Sequence, residues 1–173
     1  MHLYVRYFVY LQKLKSILKM EQNWKSTLSH KLNFLGHRNW IVVTDMAYPM
    51  QSNPGVTTLF ANEDFAKVVE CTLRMIEEAP HVCAHIYVDE EQHAMSDRLC
   101  EGWSAYQRSL ADALGKSEIN YVPHEELIHR LDSVSSTFNA IIIKTPLTIP
   151  YTSVFFELDC AYWDAAREKE IRQ

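Results

Sequence analysis

Glycine is scarce in this chain. Four glycines in 173 residues leave little room for a phosphate loop, and neither GxGxxG nor GxxxxGK[ST] occurs. The usual backbone cradle for a nucleotide phosphate is therefore missing. Cysteine is equally rare: Cys71, Cys83, Cys100 and Cys160 stand far apart with no CxxC pair. That spacing suits neither a zinc ribbon nor a disulfide framework, and it fits reduced thiols in a cytosolic protein better. Positive charge is also in deficit. The net charge is −5, yet residues 1–19 carry +4 from Arg6, Lys13, Lys15 and Lys19 with no acid, so the remainder carries −9. An acidic body argues against nucleic acid as the main partner.

A long uninterrupted apolar run is the last absence. Residues 1–19 are apolar and aromatic, but Arg6, Gln12 and Lys13 break them up and no small-residue cleavage site follows. They fit neither a membrane span nor a secretory signal. Two readings of this N-terminal extension stay open. One is a basic amphipathic helix resting on a membrane surface or a partner subunit. The other is an upstream stretch before a natural start at Met20. Residues 20–173 form the domain proper. With 47% hydrophobic and 23% charged residues, the chain has the composition of one ordinary globular core.

Periodicity along the chain alternates. Trp24, Leu28, Leu32 and Leu35 follow helical spacing, with Gly36 expected to close the helix. Residues 40–44 (Trp-Ile-Val-Val-Thr) form a continuous apolar, β-branched run that reads as a central strand. Turn formers crowd residues 48–55, and a short strand follows at 56–60. Asn62 is expected to cap a helix whose apolar face is Phe65, Val68, Val69, Leu73 and Ile76. A strand at 81–88 leads to a long amphipathic helix expected from Asp89 to about Leu114. Then come strand 118–122, helix 124–135, strand 139–144, strand 152–158 and a charged tail helix from about Ala161. Strands and helices in alternation predict a single α/β domain with a mainly parallel sheet flanked by helices.

Several polar residues fall where such proteins keep their sites, at strand ends. His37 lies on the turn entering the strand at 40–44, and Asp45 follows that strand. His124 follows the strand 118–122, and Tyr151 follows the one at 139–144. Each has a plainer explanation. Gly-His can be simple turn chemistry, Asp45 and His124 can cap backbone groups, and Tyr151 can be a core aromatic with a satisfied hydroxyl. His81 and His85 share one face of a presumed strand with His93 beyond, but no Cys or carboxylate completes a metal set. Ser104 lacks a nucleophile elbow. Trp40, Trp103 and Trp163 fit a core better than a sugar platform, with Trp163 the one to watch.

The order of these pieces resembles the D-ribose pyranase / L-fucose mutarotase family (RbsD/FucU). That family places Leu-Gly-His before an apolar strand, then Asp and a small-residue-Pro loop. Here the matching residues are Leu35-Gly36-His37, Val42-Val43-Thr44-Asp45 and Met46-Ala47-Tyr48-Pro49. The family's strand followed by His-Glu is similar to Tyr121-Val122-Pro123-His124-Glu125. Its Arg-Thr-Gly-Glu loop and Pro-Tyr-x-Asn are similar to Lys144-Thr145-Pro146-Leu147 and Pro150-Tyr151-Thr152-Ser153. The resemblance spans about Met20 to Trp163.

The resemblance implies an RbsD-like fold and an isomerase that interconverts the cyclic forms of a monosaccharide without cofactor or metal. It makes His37, Asp45, His124 and Tyr151 the catalytic set, with Ser153, Lys144 and His129 as substrate contacts. It further implies a cytoplasmic, ring-shaped homo-oligomer, typically a decamer, with sites at subunit contacts. The chain departs from the family at four places. Ser153 replaces an Asn, Pro146-Leu147 replaces Gly-Glu, and Ile128 replaces a Lys. His124 also lies five residues farther from Tyr151 than the family spacing, which His129 fits better. The alternative is a non-catalytic sugar-binding or regulatory relative.

Mutarotation removes a proton from the anomeric hydroxyl while the ring oxygen gains one; the ring opens to the aldehyde and recloses. An imidazole, with a reference pKa of ~6.5, suits that exchange, and each positioned acid or base contributes roughly 10²–10⁴-fold.

Overall fold

The computed structural model describes residues 23–172. The reading of residues 1–19 as an extension lies outside the described residues. Helix α1 (Trp24–Leu32) begins where the Asn23 side chain accepts the Lys25 and Ser26 amides, a polar cap for orphan helix donors. Strand β1 (Trp40–Thr44) is buried along its whole length. Strand β2 (Val56–Phe60) precedes α2 (Phe65–Glu77), which is capped by Asp64 rather than Asn62. Strand β3 (Val82–Asp89) is followed by a single 3₁₀ turn (Glu90–Ala94), then by α3 (Trp103–Leu114). Strand β4 (Ile119–Val122), α4 (His124–Ser135), β5 (Ala140–Lys144), β6 (Val154–Cys160) and α5 (Ala165–Ile171) follow within the described residues.

The six strands form one mixed sheet in the order β2-β5-β1-β6-β3-β4. Five strands run in the same direction. Only β6 opposes them, pairing antiparallel with β1 and β3. The carboxyl ends of β1, β3, β4 and β5 therefore share one edge of the sheet with the start of β6. One face carries Ile41, Val43, Ile141, Ile143 and Phe156 under α1, α2 and α3. The other carries Trp40, Val42, Ile142 and Phe155 under Leu127 and Leu131 of α4. A strand's alternate side chains point to opposite faces, and covering both faces is why β1 reads as an unbroken apolar run. Trp40 and Trp103 are core residues; Trp163 is 41% exposed.

Three local expectations are corrected. The long helix from Asp89 is interrupted, because Asp89 ends β3 and a loop holding Asp97 and Gly102 intervenes. Gly102 takes the left-handed conformation (φ 86°) at the α3 cap, which a Cβ disfavours. The turn after α1 owes its left-handed residue to Arg38 (φ 69°), not Gly36. Asn39 stabilises that turn: its side chain accepts the Gly36 amide at 2.8 Å and donates to the Asn139 carbonyl at 3.0 Å. The tail helix starts at Ala165, capped by Asp164, four residues later than expected.

Candidate active site

The carboxyl edge gathers Asp45, Asp89, His124, Lys144, Tyr151 and Ser153. Pro123, with its fixed φ, turns the chain from β4 directly into α4, so His124 stands as the first helical residue. Its backbone N–H donates to both carboxylate oxygens of Glu91, at 3.1 and 3.0 Å. The 3₁₀ turn thereby supplies a cap and a negative charge at a helix N-terminus.

The His124 ring meets Asp89. Nδ1 lies 3.0 Å from Asp89 Oδ1, and the carboxylate is fully buried while the imidazole is partly open. Donation from Nδ1 to a carboxylate leaves Nε2 as the proton acceptor. Burial raises the Asp89 carboxyl above its ordinary range, opposed by the hydrogen bond and charge of His124. The second oxygen, Oδ2, is buried with no donor among the described residues, an uncompensated polar group of the kind that marks functional sites.

Across the imidazole stands Tyr151, edge-on with ring centroids 5.5 Å apart. Its backbone is left-handed (φ 56°), a strained setting for a non-glycine residue. Buried neighbours hold it there. Gln92 Nε2 donates to the Tyr151 carbonyl at 2.9 Å, Tyr106 Oη donates to the Thr152 carbonyl at 3.1 Å, and Thr152 Oγ1 donates to Ile149 at 2.9 Å. Burial holds the Tyr106 hydroxyl in its neutral form, far above the usual phenol range. Tyr48 is raised likewise, by burial first and then by Asp132, Asp89 and Asp45.

Asp45 turns its Oδ1 back to accept the Ala47 and Tyr48 amides at 2.6 and 3.1 Å. It therefore organises the loop that follows β1, the capping explanation the sequence allowed. Lys144 Nζ donates to the Tyr48 carbonyl and pins the same loop. Ser153 is buried at the start of β6, and Leu147 packs against the core.

The predicted set does not converge in one chain. His37 precedes β1 at the opposite edge of the sheet. It lines a hollow with Arg38, His85, Tyr87 and Asp159, and His85 Nε2 lies 3.2 Å from Asp159 Oδ2. Five strand residues of ~3.3 Å each separate His37 from Asp45, which is wider than a monosaccharide. His129 lies farther along α4, beside Trp40, Arg130 and Glu157, away from Tyr151. His81 precedes β3, where Nε2 donates to the carbonyls of Leu32 and Leu35, and His93 packs on Tyr121.

Asp89, Glu91 and Gln92 were missed by the sequence reading. The signal was present: Val88-Asp89 ends an apolar strand in the same way as Thr44-Asp45. Taking Asp89 for a helix start concealed it.

A family model matches residues 19–160. The chain belongs to the RbsD / FucU transport protein family. Solved structures share the fold. Bacillus subtilis RbsD, complexed with D-ribose, superposes with a TM-score of 0.56 at 19% identity, covering 78% of this chain and 92% of that one. The fucose mutarotase of Streptococcus pneumoniae, in complex with L-fucose, gives 0.50 at 17% identity, covering 75% and 89%. FucU from Bifidobacterium longum gives 0.51 at 12% identity, covering 77% and 93%. A search of curated protein sequences finds no match. Among the described residues no helix is long and apolar enough to cross a membrane.

Proposed function

We propose that the protein is a monosaccharide mutarotase or pyranase, an isomerase whose proton-handling pair is Asp89–His124. The observation that carries this is the imidazole itself: one ring nitrogen is tied to a buried carboxylate, the other has no partner among the described residues, and a tyrosine stands across it. His124 Nε2 takes the proton from the anomeric hydroxyl. Tyr151 Oη gives a proton to the ring oxygen, the ring opens to the aldehyde, and the reverse transfers close it on the other face or at another ring size. Asp89 fixes the tautomer and stabilises the imidazolium, and its unpartnered Oδ2 suits a sugar hydroxyl as donor. Membership of a family whose solved members carry D-ribose and L-fucose supports a small aldose as substrate.

His37 belongs to this scheme only between copies. In a cytoplasmic ring of head-to-tail subunits, the amino edge of one copy meets the carboxyl edge of the next, and His37 joins the neighbour's Asp45, His124 and Tyr151. Asp45 and Lys144 shape the loop over the site, and Ser153 lies beneath it.

A second reading has its own observation. Ser153 is buried and Leu147 packs into the core, so the position that the resemblance makes a substrate contact and the one where it expects a Glu are both turned inward here. This favours a binding relative that has lost catalysis.

NMR exchange between the anomers and ring forms of several aldoses separates the two. The mutarotase predicts faster exchange that Tyr151→Phe weakens and His124→Ala removes. Line broadening without faster exchange identifies the binding relative, and no effect on any aldose overturns both.

A further inference from the structure

One short segment, residues 89–92, holds both halves of the site. Asp89 meets the His124 ring, and Glu91 caps the His124 backbone. Gln92, the next residue, turns the other way and reaches Tyr151. His124 opens α4, whereas Tyr151 stands in the loop before β6. Their mutual position therefore depends on what links those two segments.

Tyr151 needs such a link. Its side chain is 38% exposed, and its backbone lies in the left-handed region at φ 56°. A bulky L residue leaves that region when nothing opposes it. Gln92 and Tyr106 oppose it, and both are buried. Gln92 Nε2 carries two protons. One is donated to the Tyr151 carbonyl at 2.9 Å, and the other is directed to Tyr106 Oη at 3.5 Å. Tyr106 Oη gives its own proton to the Thr152 carbonyl at 3.1 Å. The donors run in one direction, from amide to phenol to backbone. Two consecutive carbonyls are fixed, and with them the peptide planes that follow Tyr151.

The far end of this chain is anchored in the core. Tyr106 of α3 is tilted against Trp103 with ring centroids 5.1 Å apart, and stands edge-on to Phe65 of α2 at 5.7 Å. Gln92 lies within the 3₁₀ turn, where its carbonyl accepts the Met95 amide at 3.3 Å. Tyr151 is thus tied on one side to packed helices and on the other to the turn that holds His124. Its approach to the imidazole, with centroids 5.5 Å apart, follows from that bracket.

We infer that Gln92 and Tyr106 are positioning residues that lock Tyr151 against His124; their effect on rate rests on the proposed mutarotase reaction. The test uses Gln92→Met, which keeps the length and loses the donor, and Tyr106→Phe, which removes one oxygen. The first readout needs no substrate. The His124 ring protons feel the Tyr151 ring current, and their NMR resonances, assigned by their absence in His124→Ala, shift in both variants. The second is exchange of D-ribose and L-fucose between their cyclic forms. Gln92→Met lowers kcat by about tenfold or more and leaves KM unchanged, because a misplaced reacting group costs rate and not ground-state binding. In a Tyr151→Phe background the same substitution costs nothing further, since the hydroxyl it positions is gone. An equal loss in both backgrounds means general damage to the fold and overturns the inference. So does a wild-type rate in both variants, or His124 resonances that stay in place in both. A wild type that accelerates no aldose refutes the mutarotase reaction but not the lock, which the resonances alone then decide.

Discussion

Asp89 concentrates the chemistry into one side chain, fully buried and bonded to an imidazole. Its folded carboxyl holds a proton to higher pH than its ordinary value of 3.8, because burial penalises the charge. The native state therefore binds more protons than the unfolded chain in the window between 3.8 and the raised folded value. Stability falls as pH rises through that window. Asp89→Asn cannot ionise. The wild type's unfolding free energy should decline relative to this variant as pH rises through the window, then level off. Urea unfolding across mildly acidic pH measures it; a wild-type advantage that grows with pH would show that pairing with His124 outweighs burial. The same substitution should slow sugar exchange by roughly tenfold or more, because the neutral amide can donate as well as accept, so it no longer fixes the His124 tautomer or stabilises the imidazolium.

The loop from Asp45 to Gly55, which runs from the carboxyl end of β1 to the amino end of β2, owes its position to neighbouring elements. Gly55 illustrates the constraint. A Cβ there would lie 2.3 Å from the Ser135 carbonyl oxygen and 2.6 Å from that of Phe138, while the Gly55 carbonyl accepts from Ala140 N–H at 2.9 Å. Both obstructing atoms are backbone and cannot swing aside. Gly55→Ala should cost about 1–3 kcal/mol by overpacking, seen as a lower denaturation midpoint at unchanged slope. A neutral outcome would mean that the loop from Asp45 to Gly55 moves independently of α4.

Much of the element order was legible because the signals are local. The unbroken apolar run of β1 announces a strand covered on both faces, and Pro123 announces the start of α4. The interruption between β3 and α3 was not legible. Residues 89–114 keep helix-compatible spacing, which hid the strand-end signal at Val88-Asp89, and tertiary contacts turn Asp89 toward His124 instead of into a helix cap. The antiparallel course of β6 was equally hidden, since pairing direction leaves no mark on a strand's composition. The candidate site was half legible. His124 and Tyr151 stand together, whereas Asp45 caps its own loop and His37 lies across the sheet.

At the scale of the whole molecule, the separation of His37 from His124 makes a prediction about assembly. If each site is built from two copies, His37→Ala and His124→Ala damage opposite halves of one contact. Equal co-assembly of the two variants should restore about a quarter of the sites, because half of each contact's two sides are intact. Activity in the mixture above that of either variant alone checks this. A mixture no better than its components would place each site within one chain and leave His37 outside it.

The most direct test of the account compares two histidines on one helix. Pyranose–furanose and anomer exchange of D-ribose and L-fucose should be followed by NMR with the wild type, His124→Ala and His129→Ala. We predict that exchange catalysed by the wild type falls roughly 10²–10⁴-fold in His124→Ala and survives in His129→Ala. Exchange lost in His129→Ala and retained in His124→Ala would contradict the assignment of the Asp89–His124 pair as the site of proton transfer.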